Sequence, residues 1–244
     1  MNAHRERAFA SKAEARRHAW DRLAASGHAR FPLPPHGRIP NFAGSEEAAA
    51  RLFEHEPWQS ARAIKVNPDS PQLPVREAAL RRGIRVYVPT PKLAGGFRLL
   101  DPSRIPAGKV PEAAALSTMA KWSQEVALTD LPQLDAIVTG CAAATIGGKR
   151  SGKGAGYSDL EFAILRELGH RAVPVATTVH DLQIVSDFPT TATDLPLSLI
   201  ATPTRVYHVV APPAAPDGVR WELLDDAALT TMPVLGELRR LVRP

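Results

Sequence analysis

The chain has 244 residues, 44% of them hydrophobic and 23% charged, with a formal net charge of +5; this suits one substantial core and partners that are anionic small molecules. No run approaches the roughly 20 apolar residues that span a bilayer, and the N-terminal stretch lacks a secretory apolar core, so no membrane association is expected. A single cysteine, Cys141, excludes an internal disulfide and fits a reducing, cytoplasmic setting.

In chain order, Lys12–Ser26 reads as a helix with Trp20, Leu23 and Ala24 at helical spacing and Gly27 as its stop. Lys12, Arg16 and Trp20 recur every four residues and project from one face. Four prolines keep residues 31–40 from being helical, and they read as an ordered connector. A second helix is predicted from Ser45, its N-cap, to about Glu56. Strands and helices then alternate: ARAIKV (61–66) a strand, VREAALRRG (75–83) a helix, IRVYVP (84–89) a strand and LDAIVTGC (134–141) a buried strand. YSDLEFAILRELG (157–169) follows as a helix, then strands VPVATTV (173–179), SLIATP (198–203) and TRVYHVV (204–210). A last helix after Thr230 carries Pro233 in its first turn. The alternation predicts an α/β three-layer sandwich with a largely parallel, Rossmann-like central sheet. One domain over residues 1–244 is expected, with 1–44 as N-terminal helix and Pro-rich connector and 45–244 as the α/β core.

Residues 147–159, GGKRSGKGAGYSD, lie between a predicted buried strand and a predicted helix. Their glycines let backbone N–H groups approach an anion closely. Lys149, Arg150 and Lys153 add charge, and the following helix points its positive end at the same place. Ser158 and Glu161 have capping-box spacing. The run fails the P-loop because Gly154 stands where a magnesium-binding hydroxyl is required, and it fails the dinucleotide fingerprint by glycine spacing. On residues alone it reads as a flexible surface loop or as a phosphate cradle; its place between strand and helix favours the cradle.

The same segment resembles the pattern G-x-R-L-G-x-G-x-G-Y-Y-D of the 5-formyltetrahydrofolate cyclo-ligase family. Gly148, Arg150, Gly152, Gly154, Gly156, Tyr157 and Asp159 match it, while Ser151 replaces leucine and Ser158 the second tyrosine. Lys12-x-x-x-Arg16, RRGIRVYVP, Gln183…Pro189…Asp194 and LIATPTRVYHV resemble further parts of the family in order. IKVNPD, VPTPKL, GKGAGYSDLE, VHDLQIV and TPTRV resemble one branch of it, whose vertebrate members append an RNA-recognition domain not expected in this chain. Two departures alter the substrate half: Gly140–Thr145 replaces a Pro-Gly-x-Ala-Phe-Asp run, leaving Ala144 at an aromatic position, and the Glu-Thr pair falls near Ser70 and Pro71.

The resemblance implies a sugar-isomerase/CoA-transferase-like topology and ATP- and magnesium-dependent cyclisation of 5-formyltetrahydrofolate to 5,10-methenyltetrahydrofolate. It implies that Lys12, Arg16, Gly148, Arg150, Gly152, Lys153, Gly154, Gly156 and Tyr157 bind ATP. Arg150, Lys153 and Tyr157 would serve catalysis, and Asp159 and Asp194 would hold magnesium. Each has a plainer reading: Lys12 and Arg16 as a solvated helix face, Asp159 as a residue complementing the helix dipole, Asp194 as a turn residue. His180 beside Asp181 stands as a further candidate base, although adjacent strand residues face opposite ways. Cys141 reads as a small core residue. A non-catalytic folate- or nucleotide-binding module, a ligase acting on another N-acyl substrate and an RNA-associated protein are the alternatives. The last rests on the isoelectric point near 9.6; with 6% aromatic residues and no RNP-like run, a nucleic-acid partner is not expected.

Overall fold

The computed structural model describes residues 8–242. Helix α1 (Lys12–Ala25) is followed by a two-stranded antiparallel pair, β1 (Ala29–Arg30) and β2 (Asn41–Phe42). The Pro-rich connector runs between those two strands and is ordered by them. Then come α2 (Ser45–Leu52), β3 (Ala63–Val66), α3 (Leu73–Arg81), β4 (Arg85–Pro89), β5 (Phe97–Leu100), α4 (Val110–Ala114), β6 (Ser123–Val126) and β7 (Ala136–Val138). A short hairpin of β8 (Ala143–Ala144) and β9 (Arg150–Ser151) leads into α5 (Tyr157–Glu167). The chain ends with β10 (Val175–Thr178), β11 (Leu199–Ala201), β12 (Val206–His208), α6 (Asp226–Thr231) and α7 (Pro233–Val242).

Eight strands form one sheet in the order β12-β11-β10-β7-β3-β4-β5-β6. The middle five, β11 to β4, are mutually parallel, while β12 pairs antiparallel at one edge and the β5–β6 meander at the other. Strand side chains alternate between the two faces. Ile64, Val66, Val86, Val88 and Val138 pack under α2, α3 and α4, whereas Ala63, Tyr87, Ile137, Val175 and Ile200 pack under α5 and α7. Both faces are therefore covered, as a parallel sheet requires, and the expected three-layer α/β sandwich is observed.

Several local expectations change. The second helix stops at Leu52, four residues early, because turns at Glu54 and His55 precede Pro57. Its N-cap is Gly44 in a left-handed conformation rather than Ser45. The third helix begins at Leu73, with Pro74 in its first turn, where the missing N–H costs nothing. Strands β5 and β6 were not foreseen: Arg98 interrupts the short run FRLL, and SQEV is partly exposed and lacks the apolar run that marks the central strands.

Candidate active site

From β3 the chain moves one way along the sheet to β4, and from β7 the other way to β10 and β11. The strand order reverses between β3 and β7, where α/β sheets bind ligands outside the carboxyl ends of their strands. A cleft of about 1260 Å³ opens there. Its walls come from α1, the connector, the segment after β3, the glycine loop with the start of α5, and residues 193–194.

Ala15 and Ala19 of α1 pack on Ala143, Val185 and Phe188, which turns Lys12 and Arg16 towards the cleft. Lys12 Nζ is ion-paired with Asp194. Arg16 Nη1 donates to Ser151 Oγ at 3.2 Å, its Nε is buried without a partner, and burial pushes its pKa down. Among the described residues, Arg16 has no carboxylate within ion-pair distance. Lys153 Nζ lies 3.5 Å from Asp69, and its side chain is 44% exposed.

Arg150 is 4% exposed and does two structural jobs. Its Nη2 donates to Asp159 Oδ1 at 2.5 Å and its Nη1 to the Gly140 carbonyl at 3.3 Å. Burial opposes its charge, but Asp159 outweighs that and leaves its pKa raised. Asp159 Oδ1 also accepts from the Leu195 N–H at 2.8 Å, and Asp194 Oδ2 accepts from the Thr191 N–H at 2.7 Å.

The loop then prepares an open helix end. Gly154 (φ +104°) lets the chain fold over Arg16, whose Nη2 would lie 3.3 Å from an added Cβ. Gly156, the N-cap of α5, is left-handed and supplies no capping side chain, so the S-x-x-E box does not form; Ser158 is already inside the helix. The first backbone bond of α5 runs from the Leu160 N–H to the Gly156 carbonyl at 3.0 Å. The N–H groups of Tyr157, Ser158 and Asp159 are thus left without backbone partners among the described residues, beside the cations of the cleft wall.

Of the residues singled out from sequence, Lys12, Arg16, Arg150, Gly152, Lys153, Gly154, Gly156, Tyr157, Asp159 and Asp194 line this cleft. Gly148 does not. It is left-handed (φ +84°), and an added Cβ would stand 2.5 Å from the Leu197 carbonyl oxygen and 2.9 Å from Val209 Cγ1, so its place is a packing one. Lys149 turns away to Asp187 at 2.6 Å. His180 Nδ1 accepts from the Leu182 N–H at 3.1 Å and its ring stacks on His28 at 4.7 Å, while Asp181 accepts from Thr202 and Thr204; the two do not form a catalytic pair. Cys141 is buried, its thiol pushed up to about 11 by desolvation. Ala144 and Pro71 are buried and do not border the cleft, whereas Ser70 does.

Sequence reading overlooked the floor of the cleft. Lys65, on β3, points to the α5 face and is ion-paired with Glu161; their side chains are 1% and 4% exposed. Asn67 Oδ1 accepts from Lys65 Nζ at 3.1 Å, and its Nδ2 donates to Glu161 Oε2 at 3.1 Å. Burial raises the Glu161 carboxyl above the ordinary range, against the pull of Lys65. Arg76, 1% exposed, also borders the cleft. One signal was present: a lysine inside an apolar buried strand demands an opposite charge.

Among the described residues, no three His, Cys, Asp or Glu side chains are grouped to hold a metal unaided. A hard cation shared with phosphates needs only one or two carboxylates. Asp159 meets that requirement, because its Oδ2 makes no hydrogen bond among the described residues.

Fold and cleft together define an α/β protein with a cationic wall at the switch point of its sheet. This chain belongs to the 5-formyltetrahydrofolate cyclo-ligase family, whose profile matches residues 8–203. It is 37% identical over 236 residues to a methenyltetrahydrofolate synthase domain-containing protein of Mus musculus, covering 94% of this chain and 63% of the relative. The human counterpart is 32% identical over 236 residues, covering 94% and 61%. This chain therefore spans about three-fifths of those relatives' length. The 5-formyltetrahydrofolate cyclo-ligase of Escherichia coli K12 is 26% identical over 173 residues, covering 67% of this chain and 90% of that one. A 5,10-methenyltetrahydrofolate synthetase structure from Aquifex aeolicus shares the fold: TM-score 0.52, 16% identity, 83% of this chain and 95% of that one.

Proposed function

We propose that this protein is an ATP-dependent cyclo-ligase converting 5-formyltetrahydrofolate to 5,10-methenyltetrahydrofolate, ADP and phosphate. The observation that carries the reading is the convergence of Lys12, Arg16, Arg150 and Lys153 on an uncapped helix N-terminus within one cleft. Family membership supports this choice of reaction.

The formyl oxygen attacks the γ-phosphorus of ATP, and the bond from that phosphorus to the ADP oxygen breaks. The N10 lone pair then attacks the activated formyl carbon. Phosphate leaves with the former formyl oxygen, and the N10 proton ends on phosphate. Such a sequence needs charge neutralisation and in-line placement rather than a protein nucleophile.

Arg16 carries charge with no protein counter-ion and binds phosphate oxygens directly. Lys12 and Lys153 reach them by exchanging Asp194 and Asp69 for phosphate. The free N–H groups of Tyr157 and Ser158 receive the remaining charge, and Arg150 acts chiefly by holding Asp159 in place. Asp159, with Asp194 as a second carboxylate, would hold magnesium, which would supply charge screening for the phosphates. The Tyr157 ring lies against the nucleotide or the formyl group.

Calorimetric titration with ATP and magnesium tests this reading. Arg16→Ala should weaken ATP binding by about 10- to 100-fold, the worth of a lost charge-assisted hydrogen bond. Unchanged affinity in both Arg16→Ala and Lys153→Ala would remove the loop from the nucleotide site.

A further inference from the structure

The floor of the cleft holds a cation that the phosphate wall does not explain. Arg76 on α3 is 1% exposed and yet borders the cleft. Its Nε donates to the Ala114 carbonyl at 2.8 Å, and its Nη1 donates to the Asn67 carbonyl at 2.5 Å and the Asp69 carbonyl at 3.2 Å. These bonds fix the guanidinium plane without neutralising it. Among the described residues no carboxylate lies within ion-pair distance of Arg76, and Nη2 makes no hydrogen bond. Asp69 and Glu77 act on it only from beyond that distance, and Asp69 turns its carboxylate to Lys153. A buried, oriented cation that faces a cavity and has no carboxylate within ion-pair distance is a built anion receptor.

The surroundings select the anion. Lys12, Arg16 and Lys153 attend the glycine loop, whereas around Arg76 the cleft presents Leu73, Pro91, Ala115 and Leu116, with Leu116 half exposed. A polyphosphate gains nothing from such a wall. An organic acid with an apolar or aromatic body covers Leu73 and Leu116 while its carboxylate meets Nη2. Desolvation lowers the Arg76 pKa to about 10, and an incoming carboxylate would reverse that penalty.

We propose that Arg76 is the anchor for a carboxylate on the ligand that shares the cleft with the phosphate-bearing one. The proposal rests on the two-substrate reading above and adds to it the residue that holds the second substrate's carboxylate. It assigns Arg76 to recognition of that acid rather than to the transfer of phosphate.

The test uses N-(4-aminobenzoyl)-L-glutamate, which has the carboxylates but no formyl group, and its diamide as the uncharged control. In calorimetric titrations of the wild-type protein, the acid should bind about 10- to 100-fold more tightly than the amide. Arg76→Gln should abolish that preference while leaving ATP affinity within about 2-fold, since it lies outside the phosphate wall. Arg76→Lys keeps charge but not the fixed planar donor, and should reduce the preference; it replaces Arg76→Gln if the latter does not fold. No acid preference in the wild type, or an undiminished preference in a folded Arg76 variant, overturns the proposal. Loss of methenyl-folate formation with an Arg76-dependent acid preference intact would defeat the cyclo-ligase reading and leave this one standing. Turnover without acid preference would do the reverse.

Discussion

Glu161→Gln is the sharpest perturbation of this fold. It removes one charge from the pair with Lys65 and leaves an ammonium 1% exposed among β3, β7 and α5. Breaking a buried pair by removing one partner costs about 3–5 kcal/mol, because the remaining charge keeps its desolvation penalty. For a domain of this size each kcal/mol moves the melting midpoint by roughly 2–4 °C, so a fall of about 6–20 °C is expected. Lys65→Met should cost a similar amount. The double variant Lys65→Met/Glu161→Leu should recover most of the loss, since two apolar side chains replace two buried charges. It should still fall short of wild type by about 1–3 kcal/mol, because Asn67, 4% exposed, loses its side-chain bonds to Lys65 and Glu161 and keeps only the long one to Ser158 at 3.4 Å. Urea unfolding of the four proteins closes the cycle. Single variants within about 0.5 kcal/mol of wild type, or simply additive costs in the double, would refute the reasoning.

Gly148→Ala should destabilise by about 2–4 kcal/mol in urea unfolding, through left-handed strain plus the collision with the Leu197 carbonyl. Gly156→Ala, with nothing within 4 Å of the added Cβ, should cost only about 1 kcal/mol; equal losses would contradict the packing role of Gly148. The His180 pKa is depressed by burial first and then by His28 and Arg22. Its neutral form therefore supports the fold above the unfolded value of about 6.5, and that support is lost as pH falls below it. A melting midpoint that does not fall between pH 7 and 5, or a fall undiminished in His28→Gln, would exclude this site as a cause. Cys141, buried and with its thiol near 11, should react with a disulfide reagent only on unfolding; stoichiometric labelling of the folded protein would contradict its placement.

The central strands were legible because strands buried on both faces carry continuous apolar runs, as AIKV and LDAIV do. The β5–β6 meander was not, since Arg98 interrupts the short run FRLL and the partly exposed SQEV carries no comparable signal. The gathering of cations on one cleft wall was legible from local features: the four-residue spacing of Lys12 and Arg16, and glycines where the backbone must turn left-handed. What sequence could not show is which charges meet across the fold. Asp194 lies 182 residues from Lys12 and Glu161 lies 94 residues from Asn67, and neither pairing has a local signature. Ser158 and Glu161 illustrate the hazard of local patterns. Their spacing imitates a capping box, but Glu161 is claimed by Lys65 and the helix end stays open.

The central claim is that the formyl oxygen of the folate attacks the γ-phosphate bound at the glycine loop. With 5-formyltetrahydrofolate carrying ¹⁸O in its formyl group, and ATP with magnesium, mass spectrometry of the released phosphate tests it directly. The account predicts methenyl-folate and ADP in equal amounts, with one ¹⁸O in each phosphate. Unlabelled phosphate, or no methenyl-folate at all, would contradict it.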